Sequence, residues 1–223
     1  MKKIIWISSY PKSGNTWMRY LLAHYFFNNK MVFDKTIIKY IDKLHLPEDI
    51  HNKYIGNKLD ISHVAKYWIP TQEKLEVVNG QVTFLKTHNA NISIGKNSFT
   101  NEKLTVAIIY IVRDPRDIIV SGKNYFGSNY EKLIDNICNK KLHTIYDEDN
   151  KSNLDVVSTW DIHFKSWMNK MPNVPKILVK YEDLIQNTES VFKNVINSLS
   201  KILNFQINEE KIRFSVENSK FDK

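Results

Sequence analysis

Between an apolar run and a segment of helical spacing, the stretch SSYPKSGNTW at residues 8–17 crowds a lysine, a glycine and several hydroxyl side chains into one turn. Such a turn can hold an anion. Gly14 lets backbone amides approach a phosphate, the helix that follows presents unpaired N–H groups and the positive end of its dipole, and Lys12 adds a full charge. The order is not that of the Walker loop, G-x-x-x-x-G-K-S/T, because no lysine follows Gly14 to accompany a magnesium-binding hydroxyl. The turn is therefore expected to hold a nucleotide without a metal. The alternative is an ordinary strand-to-helix turn whose glycine serves geometry alone.

Three further polar clusters close apolar runs: Lys86-Thr87-His88, Arg113-Asp114-Pro115-Arg116 and Tyr181-Glu182-Asp183. In an open parallel sheet, ligands gather beyond the carboxyl ends of the strands, so clusters of this kind meet at one edge. Basic turns at a shared edge suit a polyanion. His88 is the residue type that removes a proton from a hydroxyl near neutral pH. Its alternative is a hydrogen-bonded structural histidine at a strand end.

The elements that must carry these clusters follow from periodicity. Ile4–Ser8 reads as a first strand, and Trp17, Leu21, Leu22, Tyr25 and Phe26 recur at helical spacing after it. VTFLKTH (82–88), TVAIIYIVRDP (105–115) and KILVKYEDL (176–184) read as strands, the second apolar enough to be covered on both faces. Ile37, Ile38, Ile41 and Leu44 suggest an amphipathic helix ending near Pro47, and residues 48–80 suggest short helices and loops. PRDIIVSGKNYF opens a helix with Pro115 in its first turn, and Val156, Trp160, Phe164 and Trp167 mark a helical stripe within 152–170. His163, Trp160 and Trp167 read as packing residues. Residues 188–203 form a further helix, and the polar stretch 140–153 reads as a loop. Alternating strands and helices predict an α/β fold: a single P-loop-like, three-layer domain over 1–223 with a mostly parallel central sheet flanked by helices.

Bulk properties agree with one domain. The chain has 223 residues, of which 42% are hydrophobic and 12% aromatic, enough for one core. Its net charge of +8 is spread along the chain, which favours an anionic partner. A lone cysteine, Cys138, excludes an internal disulfide and a cysteine-based metal cluster. The opening MKKIIWISSYPK is too short in its apolar part for a signal peptide, and no run approaches the roughly 18–20 apolar residues of a membrane span. A cytoplasmic protein without stable membrane insertion is expected. No basic-aromatic pattern of nucleic-acid recognition accompanies the charge.

These motifs together carry a family resemblance. YPKSGNTW resembles the 5′-phosphosulfate motif of the sulfotransferases that use 3′-phosphoadenosine 5′-phosphosulfate, PAPS. IVRDPRDIIVSGKNYF resembles the 3′-phosphate motif of that family, with Arg113 and Ser121 in its Arg and Ser places. FLKTH resembles the segment of the family's catalytic histidine, and ILVKYEDL the strand that brings a nucleotide-contacting tyrosine. The resemblance implies sulfuryl transfer from PAPS to a hydroxyl or amine of a small-molecule acceptor, in line, with His88 as general base. It further implies Lys12 at the bridging oxygen, Lys86 on the sulfuryl oxygens, and Ser13, Gly14, Asn15 and Thr16 on the 5′-phosphate. Trp17 would stack on adenine, Arg113 and Ser121 would hold the 3′-phosphate, and Tyr181 would contact the adenine or sugar-phosphate region. No metal is implied. Taken without the resemblance, Trp17 and Tyr181 read equally as packing aromatics, and Lys86 as a lysine at the sheet edge.

The sequence departs from that family in two places. FSVENSK has Val216 where an aromatic is usual, and the glycine-rich basic segment that closes over the 3′-phosphate in the family does not occur before Lys223. Two other readings stay open: a nucleotide-binding module without turnover, and a P-loop phosphoryl-transfer enzyme such as a small kinase, which would need the Walker lysine and a metal-binding acid. The acceptor and the oligomeric state are not written in the motifs; segments 30–80 and 125–155 are the expected acceptor walls.

Overall fold

The structure, a computed structural model, describes residues 2–46, 61–77, 81–140, 144–146 and 154–219. Five parallel strands form its main sheet, in the spatial order β2-β3-β1-β6-β9. They are β1 (Ile4–Ser9), β2 (Asp42–Lys43), β3 (Thr83–Thr87), β6 (Thr105–Val112) and β9 (Lys176–Lys180). Two small antiparallel pairs lie outside it, β4 (Ser93–Ile94) with β5 (Asn97–Ser98) and β7 (Thr144–Tyr146) with β8 (Leu154–Val156). The helices are α1 (Asn15–Phe27), α2 (Ile61–Ala65), α3 (Trp68–Lys74), α4 (Pro115–Phe126), α5 (Tyr130–Cys138), α6 (Trp160–Met168), α7 (Tyr181–Gln186), α8 (Thr188–Leu203) and α9 (Glu209–Glu217).

Alternation along β1 builds the three layers. Ile5 and Ile7 pack with Met18, Leu21 and Leu22 of α1 and with Phe192, Ile196 and Leu199 of α8. Ile4 and Trp6 face the other way, onto Trp68, Phe99, Tyr110 and Trp167. Because both faces are covered, β1 is buried along its whole length, as a central parallel strand must be. The chain leaves β1 toward β3 on one side and returns to β6 on the other. The carboxyl end of β1 is thus the switch point of the sheet.

Most expected elements are present, and several segments differ. Residues 35–40 form a 3-10 turn, not an amphipathic α-helix, and are followed by β2. Arg19 of α1 donates to the carbonyls of Ile41 and Ile38 at 2.7 and 3.3 Å, occupying acceptors that a continuing helix would use. The helical stripe placed from 152 onward begins only at Trp160, because Ser158 has φ of +72° and Val156 is in a strand whose N–H donates to Asn89 Oδ1 at 2.8 Å. KILVKYEDL splits into β9 and α7 at Lys180. α5 and α9 have no counterpart among the expected elements; Asn129 and Asn208 cap them by accepting the Lys132 and Lys211 N–H groups. The expected loop at 140–153 contains β7, while 48–60, 78–80, 141–143 and 147–153 lie outside the described residues.

The turn between β1 and α1 is the tightest demand the fold makes on the sequence. Lys12 has φ of +66° and Gly14 of +92°, both left-handed. A Cβ at Gly14 would stand 2.5 Å from Cδ2 of Tyr181, so the position excludes side chains by conformation and by space. Gly14→Ala is expected to lower the unfolding free energy by about 1–2 kcal/mol through backbone conformation alone, with the collision added. Urea unfolding should show a smaller penalty when the change is made in a Tyr181→Ala background. Equal penalties in the two backgrounds would show that Tyr181 is not the obstacle.

Candidate functional site

At the mouth of α1, the first helical N–H groups point out of the turn, and no side chain caps them. Ser13 is 1% exposed, and its Oγ has no hydrogen-bond partner among the described residues. A buried hydroxyl beside uncapped amides fits an anion that supplies the acceptor. Asn15 turns the other way: its Nδ2 donates to the Ile7 carbonyl at 3.0 Å and to Ser9 Oγ at 3.3 Å. Its carboxamide locks the helix to β1, leaving its backbone N–H for the turn. Thr16 is exposed, and Trp17 is half-buried with its ring edge-on to Tyr181 at 6.3 Å.

The end of β3 brings His88 alongside the end of β1. His88 Nδ1 lies 2.8 Å from the Ser9 carbonyl, which can only accept, so Nδ1 carries the hydrogen and Nε2 the lone pair. Ser9 Oγ is a further neighbour of Nδ1 at 3.4 Å. Burial holds the imidazole well below its ordinary pKa; the Lys86 cation adds to this, and the bond to Ser9 opposes it. Lys86 is half-buried, and β3–β1 pairing sets it opposite Ile7.

The end of β6 contributes Arg113. Its Nη1 donates to the Lys12 carbonyl at 2.8 Å, and its guanidinium lies over the Tyr181 ring, 4.3 Å from the centroid. Nε of Arg113 is buried without a hydrogen-bond partner among the described residues, a second donor left for a ligand. Asp114 and Arg116 form a local pair, as Arg116 Nε donates to Asp114 Oδ1 at 3.0 Å, and Asp114 also caps α4. Hydrogen bonds from Arg116 hold the Asp114 carboxyl down to about 2. Ser121 is half-buried on α4, eight residues beyond Arg113. The ammonium of Lys12 sits 3.7 Å from the centroid of Tyr125, and its pKa is lowered by burial and by Arg113.

The turn, Arg113 and Tyr181 are thus linked by direct contacts, and His88 joins them through Ser9, while Ser121 and Lys86 are placed by their elements. Several members escaped sequence reasoning. Glu182 accepts the Asp114 backbone N–H at 2.9 Å, tying the start of α7 to the start of α4. Trp160 Nε1 donates to the Arg113 carbonyl at 3.2 Å, and His163 Nε2 to the His88 carbonyl at 3.1 Å. The stripe of α6 reads as packing in the sequence because its partners lie 47 and 75 residues away. Among the described residues, no group of three or more His, Cys, Asp or Glu could hold a metal ion, and no helix is long and apolar enough to cross a membrane. A groove lined by Lys3, Glu73, Leu75 and Leu104 lies at the opposite, amino-terminal edge of β1 and β6.

Residues 2–223 match the family model of the sulfotransferase domain. Sulfotransferase 2A1 of Mus musculus is 26% identical over 197 residues, which cover 88% of this chain and 59% of that protein. Sulfotransferase 2A1 of Homo sapiens is 24% identical over 215 residues, or 96% of this chain and 64% of the relative. The chain therefore spans about three fifths of the length of these curated relatives. Among solved structures, mouse sulfotransferase SULT7A1 complexed with PAP superimposes with a TM-score of 0.53 at 19% identity, over 99% of this chain and 65% of that one. A retinol dehydratase in complex with androsterone and the inactive cofactor PAP gives a TM-score of 0.57 at 16% identity, over 97% and 64%. The fold is shared with both, and with a domain match over nearly every residue, the chain belongs to the sulfotransferase family.

Proposed function

We propose that this chain transfers a sulfuryl group from PAPS to a hydroxyl or amine of a small-molecule acceptor, with His88 as general base. The observation that carries the reading is the juxtaposition of an uncapped turn, holding the partnerless buried Ser13 hydroxyl, with an imidazole whose lone pair is on Nε2. When bound, PAPS supplies the sulfuryl group and the leaving phosphate. The residues of the turn fit its 5′ end: backbone amides of residues 13–16 and Ser13 Oγ donate, and Gly14 keeps the approach clear. Lys12 leaves the Tyr125 ring to meet charge developing on the leaving oxygen. Lys86 steadies the transferred oxygens. Arg113 Nε and the Ser121 hydroxyl meet the 3′-phosphate, and Trp17 and Tyr181 border the adenine.

His88 Nε2 removes the acceptor proton as the hydroxyl attacks, while Ser9 holds Nδ1–H and so the ring's orientation. The desolvation that lowers its pKa keeps His88 unprotonated below the ordinary histidine range. Complexes of related proteins with PAP, androsterone and retinol support a nucleotide site beside an apolar acceptor. Of the expected acceptor walls, residues 47–60 and much of 141–153 lie outside the described residues.

Incubation with PAPS and a panel of alcohols, phenols and amines is expected to release adenosine 3′,5′-bisphosphate equally with and without chelator. Tight binding of the nucleotide with no release from any acceptor would instead identify a binding module. His88→Ala should reduce transfer by about 100-fold or more while calorimetry shows bisphosphate binding retained; an unchanged rate removes His88 from the mechanism. Arg113→Ala should weaken bisphosphate binding by about 10- to 100-fold, the range for a lost charge-assisted contact. The acid limb of the pH–rate profile is expected below pH 6.5, because the folded value of His88 is depressed from 6.5 and its basic form persists as pH falls. By the same linkage, the unfolded chain binds the proton first, so stability declines as pH drops below 6.5. A limb above 6.5 would contradict the assignment.

A further inference from the structure

One helix holds the backbones of two strand ends. On α6, Trp160, His163 and Trp167 share a face, and each donates a ring N–H to a backbone carbonyl: Arg113 at 3.2 Å, His88 at 3.1 Å and Asn89 at 2.8 Å. Ser166, on the adjoining row, accepts the Asn91 N–H at 2.9 Å. The segment that carries the general base is therefore fixed at residues 88, 89 and 91 by side chains of a single helix.

We propose that His163 is a positioning residue for His88, acting through its backbone carbonyl; this rests on His88 being the base. The carbonyl can only accept, so Nε2 of His163 carries the hydrogen and Nδ1 does not. Nδ1 then accepts the hydroxyl of Tyr110 at 2.8 Å. Burial raises the pKa of that phenol, which keeps it a donor. His163 is 0% and Tyr110 1% exposed, and Tyr10 packs edge-on against the imidazole at 5.6 Å, so neither water nor rotation of the ring replaces these bonds.

The result is a continuous line across the sheet edge. Tyr110 of β6 bonds His163, His163 bonds the main chain of His88, and the ring of His88 bonds Ser9 at the end of β1. His88 is gripped at both its backbone and its ring, which leaves its Nε2 one direction. A merely space-filling side chain at 163 would leave the buried Tyr110 hydroxyl and the part-buried His88 carbonyl without these partners, and would release one grip.

The test compares His163→Leu, His163→Gln and Tyr110→Phe with the wild type in three readouts. These are kcat and KM for transfer to an alcohol the wild type uses, binding of adenosine 3′,5′-bisphosphate by calorimetry, and the ring 15N shifts of His88 in histidine-labelled protein. For His163→Leu we expect kcat to fall by about 100-fold, the scale of a small misplacement of a catalytic group, with bisphosphate affinity within about threefold of wild type. His88 should change from one Nδ1–H tautomer to a mixture. His163→Gln, which keeps a donor at the position of Nε2, should restore most of kcat and the single tautomer. Should His163→Leu not fold, Tyr110→Phe decides, with a several-fold lower kcat and a second His88 tautomer expected.

A folded His163→Leu or, in its place, a Tyr110→Phe variant with wild-type kcat and an unchanged His88 spectrum overturns the proposal. The NMR arm needs no turnover, so the two readings separate. If the wild type transfers nothing while the His88 tautomer still depends on His163, the positioning stands and the proposed function fails.

Discussion

A left-handed turn at the end of a fully buried strand governs the rest of this protein. Residues 12 and 14 both have positive φ, and the helix that follows begins without a side-chain cap. A turn of this shape leaves amides facing outward and is held only if its surroundings define it. Three neighbours do so. Asn15 ties its helical side to β1, Arg113 bonds the Lys12 carbonyl, and Tyr181 packs against Gly14 where any side chain would collide. Each neighbour comes from a different segment, so the turn and the sheet topology define one another.

The same edge sets the protonation of His88. Burial and neighbouring cations push His88 toward its neutral form, while the carbonyl of Ser9 selects which nitrogen bears the remaining hydrogen. Ser9 also accepts from Asn15 through its hydroxyl. One residue of β1 therefore couples the start of α1 to the imidazole. Arg113 links the turn to α7 in the same way, through Lys12 and Tyr181.

The architecture was legible, and the residues of the candidate site could be proposed, because both are written locally. Fully apolar runs such as TVAIIYIV announce covered strands, 188–203 carries its helical stripe intact, and the turn at 11–17 is a contiguous motif. Reading failed where a distant group overrides the local pattern. Arg19 captures the carbonyls of Ile38 and Ile41 and turns an apparent helix into a 3-10 turn with a short strand. Asn89 draws Val156 into extended structure and shortens α6 from its amino end. The Asn15 carboxamide bonds the Ile7 carbonyl of β1, which leaves only its backbone N–H for the turn.

Sequence alone determined most of the strands and helices, that the sheet is mostly parallel, and which polar residues stand at its carboxyl edge, because periodicity and turn chemistry act over a few residues. Only the tertiary structure decided the tautomer of His88, the engagement of Arg113 with the turn, and the part played by α6. Those depend on where a lone pair or an N–H points relative to a group 47 to 101 residues away. A directional bond between remote groups leaves no periodic trace in a chain. It exists only once packing has brought its partners to hydrogen-bond distance.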